Sequence, residues 1–388
     1  MSGAPGPRVD VLFAFAYHPD VRVRRVTQAL SDAGYRVRIL AWDRGASLPE
    51  SERDGAVEVR RVRVSSHDDR GWTQLLYLGR AVLRFIPHLR RDPPRILHAV
   101  DLPMLLAALL LAPFTGRRPR IVYDAFEIYS VMESHKYPAW MLRGIGFIER
   151  FAPRMADLVI TPGEGRRAWF AARGIGSRVV ANWIDAPEQP TSRAEARTRL
   201  GLPPDSVVIA YAGGLDPSRD LEPLIGHARR HPEHLVLVAG RGIQEQRLRE
   251  AASELPNLRF MGWLPDPSDL LAAADMAYYA LNTDHPYAAH AAPNNLYTSI
   301  AHALPLLHRG QGEIGILAGS HQIGAAFSSD AELDAAIASL ADPERNAAVR
   351  AELRGLQAAY SWARARAALL DAYPRPPSTS NSDSPNGE

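Results

Sequence analysis

No cysteine occurs in this sequence, so disulfides, thiolate metal sites and a cysteine nucleophile are all excluded. Lysine is nearly absent too. Lys136 is the sole example, and the other basic residues are arginines among abundant alanine, the mark of high-GC coding rather than of a selected basic site. No apolar run reaches the ~20 residues that span a bilayer. The longest, Leu102 to Phe114, contains Pro103 and Pro113 and reads as a buried helix following a strand. Met1 to Pro7 lack the charged start and apolar core of a secretory signal, and Val9 to Ala16 is too short for a cleavable segment, so a cytoplasmic protein is expected. Nor is there a block of like charge. The formal net charge is +2 with the signs interleaved, which gives no reason to expect nucleic acid as a partner. No histidine or carboxylate spacing reads as a metal site, and no short-period repeat is visible.

What is present is a globular composition, 46% hydrophobic and 23% charged, over 388 residues. That length suits two α/β domains better than one core. Short apolar runs at Arg8–Ala16, Arg36–Ala41, Val57–Val64, Ile96–Val100, Arg120–Asp124 and Leu158–Thr161 alternate with helical spacing at Val23–Ala33, Leu75–Leu89, Leu102–Leu111 and Met141–Arg154. Beyond the polar stretch Asp185 to Glu195 a second such series begins, with strands at Val207–Ala212, Leu235–Ala239, Leu258–Met261 and Met276–Ala280, ending in a helix at Leu296–Ala303. The pattern predicts an α/β protein of two doubly wound parallel sheets. We place the first domain at 1–187, the second at 188–360, a terminal helix at 361–373 and a disordered tail at 374–388. In the helix Met141–Arg154, core packing is expected of Trp140, Met141, Leu142, Ile145, Phe147, Ile148 and Phe151. The alternative is a face lying on a membrane, since Arg143, Arg150 and Arg154 are interleaved with them.

Ligands of such sheets bind beyond the C-terminal ends of the strands, where loop amides and helix N-termini meet anions. Three loops fit. Gly213-Gly214, followed by Arg219, offers close backbone approach and a forked cation for a phosphate, or is a turn of positive φ. Gly240-Arg241-Gly242 offers the same less specifically. Ala292-Pro293-Asn294-Asn295-Leu296 opens an apolar helix whose amides suit a diphosphate, unless an asparagine is simply its N-cap.

Together these loops resemble the C-terminal domain of the family-4 glycosyltransferases of the GT-B fold, in which two Rossmann-like domains face a central cleft. Tyr211-Ala-Gly-Gly-Leu-Asp-Pro-Ser-Arg219 resembles the glycine loop and basic residue of the donor diphosphate site, with Gly214 where the family has an arginine. Asn257 to Leu264 is similar to the segment whose backbone holds the nucleobase, implicating Gly262, Trp263 and Leu264. Ala292 to Tyr297 is similar to the loop under the sugar diphosphate, implicating Asn294, Asn295 and Leu296. In the first half, Asp20-Val-Arg22-Val23, His98-Ala-Val-Asp101, Val122 to Glu127, Glu149 and Asn182 fall in the family's order. The resemblance implies a retaining transferase that takes a nucleotide-sugar donor and a small-molecule or glycan acceptor, with no cofactor and no metal. Arg219 and Arg22 would stabilise the leaving diphosphate, and Glu127 would be the carboxylate kept at the acceptor side. The pattern is broken in places. The family's Glu-x7-Glu pair falls on His290 and Thr298, and its Asp-x-His-Glu histidine on Phe126, which cannot hydrogen-bond a sugar. His290 either contacts the donor or is incidental. A GT-B protein that binds a nucleotide or partner enzyme without catalysis is the second reading, and a sugar-nucleotide epimerase lacks a suitable carboxylate constellation.

Overall fold

The computed structural model describes residues 6–17, 20–65, 73–132, 137–282 and 286–374. His18 and Pro19 of the opening loop and the predicted tail beyond Pro374 lie outside them. The chain divides into two compact units, Met1–Val180 with Arg366–Glu388, and Ala181–Ala365. The division falls before the polar stretch that marks it in the sequence, because the Val180 carbonyl is held in the first unit by the Arg22 guanidinium at 2.6 Å.

The first unit is built on eight strands: β1 (Arg8–Phe13), β2 (Arg36–Asp43), β3 (Ser51–Asp54), β4 (Val57–Arg63), β5 (Ile96–Val100), β6 (Arg120–Asp124), β7 (Leu158–Thr161) and β8 (Arg178–Val179). They lie in the order β3-β4-β2-β1-β5-β6-β7-β8, and only β3 runs antiparallel to its neighbour. Val9 of β1 faces Val37 on one side and Ile96 on the other, and the central strands β1, β2 and β5 are buried apart from Arg36 at the start of β2, as their mainly apolar runs predict. The edge strands β3 and β8 carry no such signal: Ser-Glu-Arg-Asp is polar and β8 is a single pair of residues. The apolar run after β5 is the helix Asp101–Leu111, with Leu102, Met104, Leu105, Ala108 and Leu111 buried. Among the described residues no helix is long and apolar enough to cross a membrane.

The core packing expected of the helix Ala139–Phe151 is found only in part: Ile145 packs on the core and Met141 and Leu142 are half-buried, but the large aromatics are not covered. Trp140 is 73% exposed, Phe147 66% and Phe151 46%, while Glu149 is buried. The reason is local. The Glu149 carboxylate turns inward to accept from the amides of Tyr129 (2.5 Å) and Ser130 (3.1 Å), which caps the short helix Tyr129–Met132 and puts the apolar stripe outside.

The second unit holds β9 (Val208–Gly214), β10 (Leu235–Arg241), β11 (Leu258–Gly262), β12 (Met276–Tyr279), β13 (Leu306–His308) and β14 (Gly324–Ala326), all parallel, in the order β11-β10-β9-β12-β13-β14. The order reverses between β9 and β12 here, and between β1 and β5 in the first unit. Each switch point opens a crevice beyond the strand ends of its own sheet, where loops diverge to either face. Strands β13 and β14 are three residues each, too short for a periodic signal, and were not expected. The last helix, Trp362–Ala372, carries the chain back to the first unit, where the buried Tyr373 hydroxyl meets His98 Nδ1.

Candidate functional site

Gly213 and Gly214 are not a loop but the last residues of β9, paired with Gly240 and Arg241 of β10. Neither Gly213 nor Gly214 has positive φ, so the turn reading does not apply. Backbone crowding explains the glycines instead. A Cβ on Gly240 would sit 2.0 Å from the Gly213 carbonyl oxygen, so the two strand ends approach as only glycine permits. A Cβ on Gly213 would lie 3.2 Å from the Tyr211 hydroxyl and 3.4 Å from the Asn295 side-chain oxygen. Asn295 in turn donates from Nδ2 to the Ala212 carbonyl at 2.8 Å, tying the start of the helix Asn294–Ala301 to the end of β9.

That helix has Pro293 at its N-cap position and no side-chain cap bond, so an asparagine N-cap is not what these residues supply. Asn294 and Asn295 instead form its first turn, where backbone amides point out of the helix end. Leu296 is buried in the core and brings only its backbone to this end.

Arg219 follows on a loop fastened from two sides. Ser218 folds onto Asp216, whose Oδ1 accepts from the Ser218 amide at 3.1 Å, and Gln244 Nε2 donates to the carbonyls of Asp216 (2.7 Å) and Arg219 (3.0 Å). Across the sheet the Asp220 amide donates to the Ala280 carbonyl beyond β12 at 3.1 Å. The guanidinium itself donates to the Tyr279 hydroxyl and meets Asp216 at 3.3 Å. Burial works against its charge, but Tyr279, Asp216 and Tyr211 more than offset this and hold its pKa above the usual value. Tyr211 donates to the Gly214 carbonyl at 2.5 Å and also lies against Arg219, so the cation, the glycine strand end and the helix start meet around one phenol. Sequence reasoning passed over Tyr211, Tyr279 and Gln244 as functional side chains. Their partners are up to tens of residues away, and no spacing reveals them.

At the end of β11, Gly262 has φ +67, a conformation that favours glycine, and turns the chain so that Trp263 stands 57% exposed with the Arg241 guanidinium 5.1 Å from its ring. Leu264 packs on the core. His290 closes the turn Pro286–His290, and Thr298, half-buried, lies on the second turn of the helix Asn294–Ala301.

His308 ends β13 beside Tyr279 and is buried, its Nδ1 accepting from the Gly310 amide at 3.1 Å. Burial pushes its pKa down to about 4. The folded value lies below the unfolded one of about 6.5, so its share of stability is present above pH 6.5 and is lost as pH falls towards 4. We expect a loss on the order of 2 kcal/mol by pH 4.5 that His308→Gln largely removes. Urea unfolding of both proteins at several pH values checks this; parallel pH profiles would refute it.

In the first unit Arg22 is not a solvated arginine. It is buried 7% exposed, donating from Nε and Nη2 to Asp124 at 3.2 and 2.7 Å, with its guanidinium 4.8 Å from the centre of the Phe126 ring. Phe126, at the position of the missing histidine, therefore serves as a platform for this cation. Burial would raise the Asp124 pKa, but Arg22 and His98 outweigh it and lower the value. Glu127 accepts from Arg166 at 2.7 Å, and its amide donates to Asp101 Oδ1 at 3.1 Å. Asp101, buried at φ +64, is a non-glycine residue in the left-handed region, a strain found where a site over-determines the backbone. Burial and the neighbouring Glu127 push its pKa well above the usual carboxylate range. Arg219, Gly213, Gly214, Gly240 and Asn295 are thus gathered in the second unit, and Arg22 and Glu127 flank the strand ends of the first.

Residues 19–183 match the family described as glycosyl transferase 4-like domain. Over that stretch the chain is similar to a glycosyl transferase 4-like domain. The solved structures agree over almost its whole length. Sucrose-phosphate synthase from Thermosynechococcus elongatus is 15% identical, with a TM-score of 0.76 over 93% of this chain and 96% of that one. Anabaena HepE, solved with UDP and glucose, is 14% identical, with a TM-score of 0.68 over 94% and 98%. The UDP-forming trehalose-phosphate synthase from Burkholderia vietnamiensis is 12% identical, with a TM-score of 0.65 over 94% and 99%. No curated protein matches the chain by sequence. The chain thus has the two-sheet GT-B fold expected from its sequence.

Proposed function

We propose that this glycosyltransferase takes a nucleoside-diphosphate sugar at the strand ends of β9 and β10 and transfers the sugar to a small-molecule or glycan acceptor with retention. The observation that carries the proposal is the convergence of Arg219, the β9 strand end and the uncapped helix start around Tyr211. As the bond from anomeric carbon to diphosphate breaks, negative charge grows on the diphosphate, and a fixed cation and oriented amides stabilise it most at that moment. Trp263 with Arg241 supports a nucleobase contact at the end of β11. The test is transfer and donor hydrolysis by the purified protein across a panel of nucleotide sugars, with candidate acceptors. Uridine donors come first because HepE is solved with UDP and glucose. Transfer from one donor with inverted product stereochemistry would overturn retention.

The second reading, a nucleotide binder without transfer, is favoured by the packing of Phe126 on Arg22, which puts an apolar ring where a sugar-facing histidine is expected. Selective binding of a nucleoside diphosphate with neither hydrolysis nor transfer on any donor would support it. With Arg219 and the helix amides on the diphosphate, transfer is expected to need no divalent ion. Activity retained within about twofold after EDTA treatment is the expected result. Loss restored by a divalent ion would refute it.

The outer face of the helix Ala139–Phe151 supports contact with an anionic membrane. Trp140, Phe147 and Phe151 stand out of it, Arg143 and Arg150 flank them, and the single acid, Glu149, is buried on the opposite side. Phe147→Ser with Phe151→Ser is expected to weaken sedimentation with phosphatidylglycerol vesicles by at least about tenfold. Equal sedimentation of both proteins would sink this contact.

A further inference from the structure

Away from the donor site, the helix Glu222–Arg230 ends in a turn, His231-Pro232-Glu233-His234, that brings three imidazoles together. Ring centres are 4.6 Å apart for His227 and His231, 5.2 Å for His227 and His234, and 5.4 Å for His231 and His234. Two carboxylates close the ring of side chains. Asp334, on the helix Asp330–Ala341, meets His227 Nδ1 at 2.6 Å and His231 Nε2 at 3.5 Å, and takes two bonds of 2.9 Å from Arg230. At the other end Glu233 Oε1 lies 3.1 Å from His231 Nδ1 and 4.0 Å from His234 Nε2. His227 Nε2 and His234 Nδ1 are 3.0 Å apart between them.

These contacts decide which nitrogens carry protons. An ionised carboxylate only accepts, so Asp334 takes the N–H of neutral His227 on Nδ1 and that of His231 on Nε2. His227 Nε2 is then an acceptor, and His234 must donate to it from Nδ1. What remains are the lone pairs of His231 Nδ1 and His234 Nε2, both directed to the side where Glu233 stands.

We propose that a divalent zinc ion is bound by His231 Nδ1, His234 Nε2 and the Glu233 carboxylate, with water completing the shell. The donor set is one zinc takes, and the three donor atoms lie within 4.8 Å of one another. Two donors at ~2.0–2.1 Å from a tetrahedral ion are separated by about 3.4 Å, which the contacts of 3.1 and 4.0 Å bracket. Asp334 is a positioning residue, acting through His227 and His231 as the outer carboxylate that fixes ligand tautomers in metal sites. Its partner Arg230 contacts Asp334 at the far end of the ring, away from Glu233. The site begins where the helix that follows the Arg219 loop ends, so it staples the helix end to the turn and takes no part in transfer.

The untagged full chain, stripped with chelator, is titrated with Zn²⁺ by calorimetry and with Co²⁺ by absorption. One equivalent is expected to bind. His231→Ala/His234→Ala abolishes the binding, and Glu233→Gln, at an exposed side chain that leaves the core untouched, weakens it at least about tenfold. Asp334→Asn weakens it about 10–100-fold and shifts the Co²⁺ visible bands, which a purely structural role would not move. Zn²⁺ affinity unchanged in Glu233→Gln or in the folded double histidine variant, or a Co²⁺ spectrum equal to that of the hydrated ion, overturns the site.

Discussion

Asp124→Ala is expected to destabilise the first unit by about 3–5 kcal/mol, the cost of leaving a buried charge without its counter-ion. Arg22 is almost fully buried, and Asp124 accepts from its Nε and Nη2 while also meeting His98 Nε2 at 3.4 Å. With the carboxylate gone, the Val180 carbonyl and the Phe126 face do not neutralise the guanidinium. Water cannot reach it without opening the unit. Exchange of both partners for apolar groups, Arg22→Met with Asp124→Leu, removes the charge and its partner together and should cost clearly less than the single change. Urea unfolding of the three proteins measures this. A loss under about 1 kcal/mol in Asp124→Ala would show the pair to be unimportant for stability.

Arg219→Ala is expected to weaken nucleoside-diphosphate binding by about 1.5–3 kcal/mol, roughly 10–150-fold, while the fold keeps its stability within about 1 kcal/mol. The guanidinium is aimed by Tyr279 and Asp216 rather than left to wander, so little entropy is lost when a diphosphate arrives. Arg219→Lys keeps the charge but not the fork and should fall between the two. Tyr279→Phe keeps the cation but loosens it, and should cost less than removing it. Calorimetric titration with UDP and other nucleoside diphosphates decides. Equal affinities for the native protein and Arg219→Ala would take Arg219 out of the site.

The sequence was most legible where a residue's fate depends on its neighbours along the chain. Short, mainly apolar runs such as Val9 to Phe13, broken only by Asp10, and Val236 to Ala239 have the length of interior parallel strands, and the repeated strand and helix spacing led to two doubly wound sheets and to the Arg219, Asn294 and Asn295 loops. Edge strands and three-residue strands escaped because pairing, not side-chain pattern, defines them. The helix Ala139–Phe151 shows the limit most clearly. Its amphipathic spacing said that one face is apolar, but which face turns inward depended on Glu149 finding the amides of Tyr129 and Ser130.

By itself, then, the sequence determined the architecture, the family likeness and which strand ends are candidates for a ligand, because these follow from local periodicity and from residues in a recognisable order. Only the tertiary structure decided the states of the polar side chains. It made Arg22 the buried partner of Asp124, made Gly240 a condition of strand contact, set Tyr279 behind Arg219, and closed His227, His231 and His234 into a ring with Asp334. Each of these depends on a partner distant in the chain. A charge or lone pair acquires its role from what lies within hydrogen-bond reach in space, and that distance is set by folding rather than by position in the sequence.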